Sequence, residues 1–423
     1  MRKILTSLTA VTLAWFSVLS CGCILSCNRA PDFPDPEAGL PAFPKSSEQV
    51  SSVPLTRAEQ AFVQAGNEFA WRLTRKVWEE NTEQKSLILS PLSVQYALGM
   101  LGNGADAQVS ARLAAVLGYE GTEAINAFCA KLIESLPAVD TSVTLALANG
   151  VLFDEKYTMK QPFRTAVSDS YDAMVESMPF SNPDAVMKRV NDWCSQHTYG
   201  RIKDVLKEVD PDAFMYLMNA IYFNARWTVP FEKAATRNED FTNLAGKRAK
   251  VGMMHQTLMG TLSYAESPAV QMLTLPYGNG RFFMTICLPK KPADLAACMG
   301  TPENLKGEMA NVILSLPRFH SAFNTDLKAI LAGMGLPLSP YNELVENPRG
   351  IAEISKVIHQ ADITVNETGS EAAAVTVIEM RYNMGIPATE PRTVYFTADH
   401  PFVYTIQESS SGVILFTGVY NGE

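Results

Sequence analysis

Apolar residues recur at helical spacing in the first third of the chain and in short strand-like runs in the last two thirds. Phe62, Phe69, Leu73 and Val77 line one face of a segment from Thr56 to Trp78, at the intervals a 3.6-residue period requires. Thr56 with Glu59 three positions on is a capping-box start. Helical patterns follow over Ser93–Leu101 and Gln108–Leu117. Strand-like runs cover Leu145–Phe153, Met215–Phe223, Arg281–Leu288, Val312–Leu316, Ala361–Val365, Thr393–Phe396, Phe402–Ile406 and Gly412–Val419. Helices first and strands later predict an α+β fold rather than alternating βαβ units.

One stretch keeps strand periodicity on unsuitable residues. In Ile363 to Arg381, ITVNETGSEAAAVTVIEMR, the positions Ser370, Ala372, Ala374, Thr376, Ile378 and Met380 are uncharged. Glu367, Gly369, Glu371, Ala373, Val375, Val377, Glu379 and Arg381 alternate with them and hold every charge. A period of two predicts one face for a core and one for solvent. Gly369-Ser370 and three successive alanines are nonetheless poor strand formers. The run then leads into turn-rich Asn383-Met384-Gly385-Ile386-Pro387. The pattern of a strand with the composition of a loop predicts a strand that forms late.

The chain has 423 residues, 47% hydrophobic and 19% charged, enough for a large core. From Thr56 onward its composition is uniform, which predicts one domain over 56–423. The net charge of −9 and the lack of a Lys/Arg-rich run argue against a nucleic-acid partner. No GxSxG or HExxH occurs, and His197, His255, His320, His359 and His400 are scattered. Gly102-Asn103-Gly104-Ala105-Asp106-Ala107 loosely fits a dinucleotide fingerprint, but it follows a helical pattern and reads as a helix end and turn. Ser90-Pro91-Leu92-Ser93 reads as a helix start. Cys129, Cys194, Cys287 and Cys298 lack metal-ligand spacing and predict buried free thiols. No metal, cofactor or enzymatic activity is therefore expected.

The N-terminus predicts export. Basic Met1-Arg2-Lys3 precedes an apolar run from Ile4 to Leu19, and small residues with cysteines follow. This is a signal-peptide pattern over 1–27. Leu19-Ser20-Cys21 and Leu25-Ser26-Cys27 both resemble the end of a bacterial lipoprotein signal, in which the cysteine is lipidated. Cys27 is favoured over Cys21 because Asn28 opens the polar segment. Residues 28–55 carry Pro31, Pro34, Pro36, Pro41, Pro44 and Pro54, an extended linker that would hold a domain off a membrane surface. A secreted protein, lipid-anchored at the cell envelope, is the expectation.

Six segments, in order, resemble the serpin family from about Ala58 to Tyr420. Phe396-Thr397-Ala398-Asp399-His400-Pro401-Phe402-Val403-Tyr404-Thr405-Ile406 fits its signature at every position, and Leu415-Phe416-Thr417-Gly418-Val419 follows. Asn219-Ala220-Ile221-Tyr222-Phe223 with Trp227 and Phe231 is similar to another family segment, with Asn224-Ala225 in place of the usual Lys-Gly. Ile88–Ser93, Val190–Trp193 with Gly200–Asp204, and Ile354–His359 complete the series. The resemblance implies three β-sheets, eight or nine helices and an exposed reactive loop. It also implies a suicide inhibitor of serine, and also cysteine, endopeptidases, acting as a monomer through a covalent 1:1 complex. A protease cuts the loop, and the freed segment inserts as a new strand and traps the acyl-enzyme.

Residue by residue, the resemblance implies a hinge at Glu367, Gly369, Ser370, Glu371, Ala372, Ala373 and Ala374, without the charge, Pro or bulk of non-inhibitory relatives. It places the cut at Asn383–Met384, within a window from Arg381 to Ile386. From Ser370 to Asn383 the inserted strand would span roughly 45 Å at about 3.3 Å per residue. Ser90, Ser93, Asn219 and His359 match a polar cluster beneath the parting strands, His359 as a buried donor. Trp227 and Arg318, the latter paired with Glu367, match the point where the hinge goes in. Only Arg112 and Lys131 are basic within Ala111–Val139, so no glycosaminoglycan partner is expected. The alternative is a non-inhibitory carrier of the same fold whose loop is cut as a simple substrate.

Overall fold

The computed structural model describes residues 52–210, 212–300, 307–348, 350–354, 356–370 and 391–422. The lipidation candidates Cys21 and Cys27, the hinge residues Glu371 to Ala374 and the Asn383–Met384 bond lie outside these residues. The helices are α1 (Arg57–Glu80), α2 (Pro91–Gly102), α3 (Ala107–Leu117), α4 (Thr122–Ser135), α5 (Gln161–Tyr171), α6 (Pro183–His197) and α7 (Lys328–Gly333). Four 3₁₀ segments, Leu136–Ala138, Lys233–Ala235, Pro292–Cys298 and Asn342–Leu344, add to these among the described residues. The early strands are β1 (Leu87–Leu89), β2 (Thr144–Asp154), β3 (Met174–Met178), β4 (Met215–Arg226), β5 (Arg237–Thr242), β6 (Arg248–Glu266), β7 (Val270–Tyr277) and β8 (Phe282–Pro289). The later ones are β9 (Glu308–Pro317), β10 (Phe319–Asp326), β11 (Ile358–Asn366), β12 (Gly369–Ser370), β13 (Thr393–Thr397), β14 (Phe402–Glu408) and β15 (Ile414–Tyr420).

Local chemistry sets the helix starts. Thr56 accepts from the Glu59 backbone N–H while the Glu59 carboxylate accepts from the Thr56 N–H, so the capping box is complete. Ser90 caps α2 by accepting from Ser93 N–H, and Pro91 occupies a position whose missing N–H costs nothing. Every α2 residue except Ala97 is buried. A helix apolar on all sides needs enclosure, and α2 finds it against β4, β15 and its helical neighbours.

Two hydrogen-bonded sheets frame the core. One runs β1-β15-β14-β8-β7-β6-β9-β13, with β5 on β6. Its β6 is 19 residues long and shifts register between Leu258 and Leu262. The first half of β6 pairs β5 and the second half pairs β7, while β9 runs along both, joining two sheet regions in one path. All of β15 is buried, as its continuous apolar run requires. The second sheet has the order β10-β11-β12-β4-β2-β3. Helix α6 crosses this sheet, and Val186, Val190 and Trp193 pack on Leu152 of β2 and on Met218 and Ala220 of β4.

Candidate functional site

The second sheet carries the candidate site at β12, a strand of only two residues. Gly369 pairs Asn366 of β11 on one side and Arg226 of β4 on the other; Ser370 likewise pairs Val365 and Ala225. Among the described residues no backbone register joins β4 to β11 directly. A Cβ on Gly369 would lie 2.1 Å from the Ala225 carbonyl oxygen and 2.7 Å from the Arg226 Cα. Only glycine lets the chain pass that close to another backbone.

Side chains lock β12 in place. Ser370 is fully buried, and its hydroxyl shares a 2.5 Å hydrogen bond with the Tyr277 hydroxyl. Burial pushes the Tyr277 phenol well above its ordinary range, so it stays neutral. Trp227 stacks on Tyr277 with centroids 4.3 Å apart and planes 11° from parallel. Its indole N–H donates to Asn366 O at 2.9 Å, and its backbone N–H donates to Thr368 O at 3.0 Å. Asn366 Oδ1 accepts from the Thr368 hydroxyl and from the N–H groups of Thr368 and Gly369. The turn between β11 and β12 is thus held from inside and outside.

Glu367 does not sit on a solvent face, as the period-two pattern predicts. It is buried, because it belongs to the turn before β12 rather than to the strand. Its carboxylate accepts from the Thr236 hydroxyl at 2.8 Å and faces Arg318 at 4.0 Å, which offsets the cost of burying the charge. Gly369 is buried as well. Trp227, Arg318, Glu367, Gly369 and Ser370 are therefore brought together. Sequence reasoning missed Tyr277, Asn366 and Thr236; the one local signal is that Tyr277 ends an alternating run just before Gly278-Asn279-Gly280.

Ser90, Ser93, Asn219 and His359 form a second cluster farther along the same strands. The Ser90 N–H donates to His359 Nε2 at 3.1 Å, and the Ser90 hydroxyl donates to Leu415 O. The Ser93 hydroxyl donates to Asn219 Oδ1, and Asn219 Nδ2 donates to Asn149 Oδ1 at 2.5 Å. Asn149 Nδ2 continues to Tyr171 O at 2.7 Å. His359 accepts through Nε2, which leaves Nδ1 as the nitrogen that carries the proton of a neutral ring. Burial lowers the His359 pKa to about 4, which keeps the ring neutral near pH 7.

This cluster borders a cavity of about 600 Å³. Its walls include Met215 to Ala220 of β4, Ile358 to Gln360 of β11, and Val190 and Cys194 of α6. The same two strands are therefore bridged by β12 at the Arg226 end and flank open space at the Met215 end. The four described cysteines are buried and free.

A comparison with known proteins accounts for this arrangement. The serpin (serine protease inhibitor) family profile matches residues 64–422. Serpin-Z1C of Triticum aestivum is 31% identical over 376 residues, covering 83% of this chain and 93% of that protein. The structure of Arabidopsis AtSerpin1 in its native stressed conformation superposes with a TM-score of 0.76 at 25% identity, covering 87% of this chain and 99% of the other. Thyroxine-binding globulin in complex with thyroxine superposes with a TM-score of 0.73 at 25% identity, covering 85% and 98%. With a profile match spanning both sheets, the β12 site and the polar cluster, the chain belongs to the serpin family.

Proposed function

We propose that this chain is an irreversible suicide inhibitor of serine endopeptidases, and of cysteine endopeptidases by the same chemistry. The protease's nucleophilic oxygen or sulfur bonds the Asn383 carbonyl carbon. The peptide bond to Met384 breaks, and the Met384 nitrogen takes a proton and leaves as a new amino terminus. The freed segment from Glu371 to Asn383 then continues β12 between β4 and β11, carrying the acyl-enzyme with it. Strand addition supplies the driving force, because the inner edges of both strands gain backbone partners and the alternating face of Ala372, Ala374, Thr376, Ile378 and Met380 gains a core.

The observation that carries this reading is the two-residue strand at Gly369-Ser370, already paired on both sides at one end of a gap that no other described residues bridge. With Glu371 on the opposite face of the alternation, the inward positions Ser370, Ala372 and Ala374 put no charge into that gap. The protein is mixed with a panel of serine and cysteine proteases and run on a denaturing gel, with the cut located by mass spectrometry. A gel-stable covalent band is expected; clean cleavage without one contradicts the reading and leaves the non-inhibitory carrier. Ser370→Arg should convert the inhibitor into a substrate, since a charge at this fully buried position has no partner in place; an undiminished covalent band would overturn the face assignment. The reading includes a lipid anchor at Cys27, with Cys21 as the alternative. Loss of surface labelling in a Cys27→Ala variant is expected, and unchanged labelling would point to Cys21 or to no lipid.

A further inference from the structure

Five large hydrophobic side chains stand strongly exposed among the described residues, and three of them share one surface. Met259 (66% exposed), Met309 (41%) and Tyr395 (69%) belong to the neighbouring strands β6, β9 and β13. Tyr395 pairs Ile313 in register, and Met309 pairs Ser263. The intervening Ala310, Val312, Val394 and Phe396 are buried, so Met309, Ile313 and Tyr395 share the outer face. Met259 projects from the register shift between Leu258 and Leu262, where Gly260 takes φ +60°; bulges of this kind re-aim a side chain. Single exposed apolar residues need no explanation. Three on adjacent strands, one aimed outward by a bulge, do.

The surface is rigidly presented. Gln271 Nε2 donates to Tyr395 O at 3.2 Å and to the Tyr264 hydroxyl at 2.8 Å. Asn311 donates to Arg392 O and Pro391 O. Arg392 pairs with Glu266, which also takes Lys290 at 3.0 Å, and lies 3.8 Å from Glu308. An apolar centre with a paired ionic margin is the anatomy of a protein-binding patch.

Its place on the chain selects the partner. Arg392 lies eight residues after Met384, and eight extended residues reach at most about 28 Å. A protease domain of about 220 residues is roughly 45 Å across. A protease clasping the Asn383–Met384 bond is held by a tether shorter than its own diameter, so it must face the end of the molecule where β13 begins. We propose that Met259, Met309 and Tyr395 form a secondary docking surface for the target endopeptidase, taking an apolar patch on the side of its cleft that holds the residues after the cut. This inference rests on the inhibitory reading above.

The test compares full-length wild type with Tyr395→Ala, Tyr395→Phe and the triple variant Met259→Ser/Met309→Ser/Tyr395→Ala. A protease that the wild type traps is used, and the second-order rate of covalent-complex formation is read together with stoichiometry. Tyr395→Ala should slow association about tenfold and the triple variant more, at unchanged stoichiometry and melting temperature. Tyr395→Phe, which keeps the ring, should react at the wild-type rate. Rates within twofold of wild type for the triple variant, or equal losses in Tyr395→Phe and Tyr395→Ala, would overturn the docking surface and leave the inhibitory reading intact. A wild type that traps no protease overturns both.

Discussion

The two ends of the gap between β4 and β11 are built differently. At the Arg226 end, β12 pairs both strands, Trp227 and Tyr277 stack beneath it, and Asn366 holds the turn. At the Met215 end the same strands flank a cavity, beside which side-chain hydrogen bonds run from Ser93 through Asn219 to Asn149 and His359 accepts from the Ser90 N–H. Backbone pairing is specific for strand position but indifferent to side chain, so one end can accept a continuing strand. Side-chain bonds such as those at Asn219 can be exchanged singly, so the other end can part without losing the core. On the proposed inhibitory reading, the sheet is started at one end and finished from it.

Breaking the started end should have the largest effect. Trp227→Ala removes a buried ring and the donor to Asn366 O. It should cost about 3–5 kcal/mol in urea unfolding, with the hinge turn the first region to gain proteolytic sensitivity. A loss under 1 kcal/mol would show that the Arg226 end is held by backbone pairing alone.

The open end should answer to pH. The folded pKa of His359 is lowered to about 4 from an ordinary 6.5. The unfolded chain therefore binds the proton first, and stability present above pH 6.5 is lost as pH falls from 6.5 toward 4. The limit is about 3 kcal/mol at ~1.4 kcal/mol per pH unit. Chemical unfolding across that window, wild type against His359→Asn, measures it; parallel curves would remove His359 from the account. His400 works in the opposite direction. Burial alone would lower its pKa, but hydrogen bonds to Asp399 and Pro289 O raise it overall. Its contribution is present below 6.5 and fades as pH rises through the raised value, so the two histidines are separable by the sign of their pH slopes.

Tyr277→Phe is the mildest probe. It keeps the stack on Trp227 and leaves the Ser370 hydroxyl buried without that partner, a cost of about 1 kcal/mol. No change in stability would mean that the hydroxyl pair contributes nothing to seating β12.

Local signals carried much of the fold. The capping box at Thr56 and Glu59, the Ser90-Pro91 helix start and the apolar runs of β2, β4, β14 and β15 all stand where their chemistry puts them. Long-range pairing hid the rest. Strand β5, RNEDFT, has one buried residue and no apolar alternation; it is a strand because β6 offers it an edge. Glu367 escaped the period-two reading because a turn interrupts the strand, and its hydroxyl partner Thr236 lies 131 positions away. His359 accepts from a Ser90 N–H 269 positions away, a role that no sequence pattern reveals.

The central claim is that the chain after Ser370 becomes the strand between β4 and β11. Hydrogen exchange on the intact protein and on protein cut between Arg381 and Ile386 tests it directly. Amides of Met215 to Ala220 and of Ile358 to Gln360 should exchange more readily in the intact form and become strongly protected after cleavage, as new backbone partners form. Equal exchange before and after the cut would contradict it.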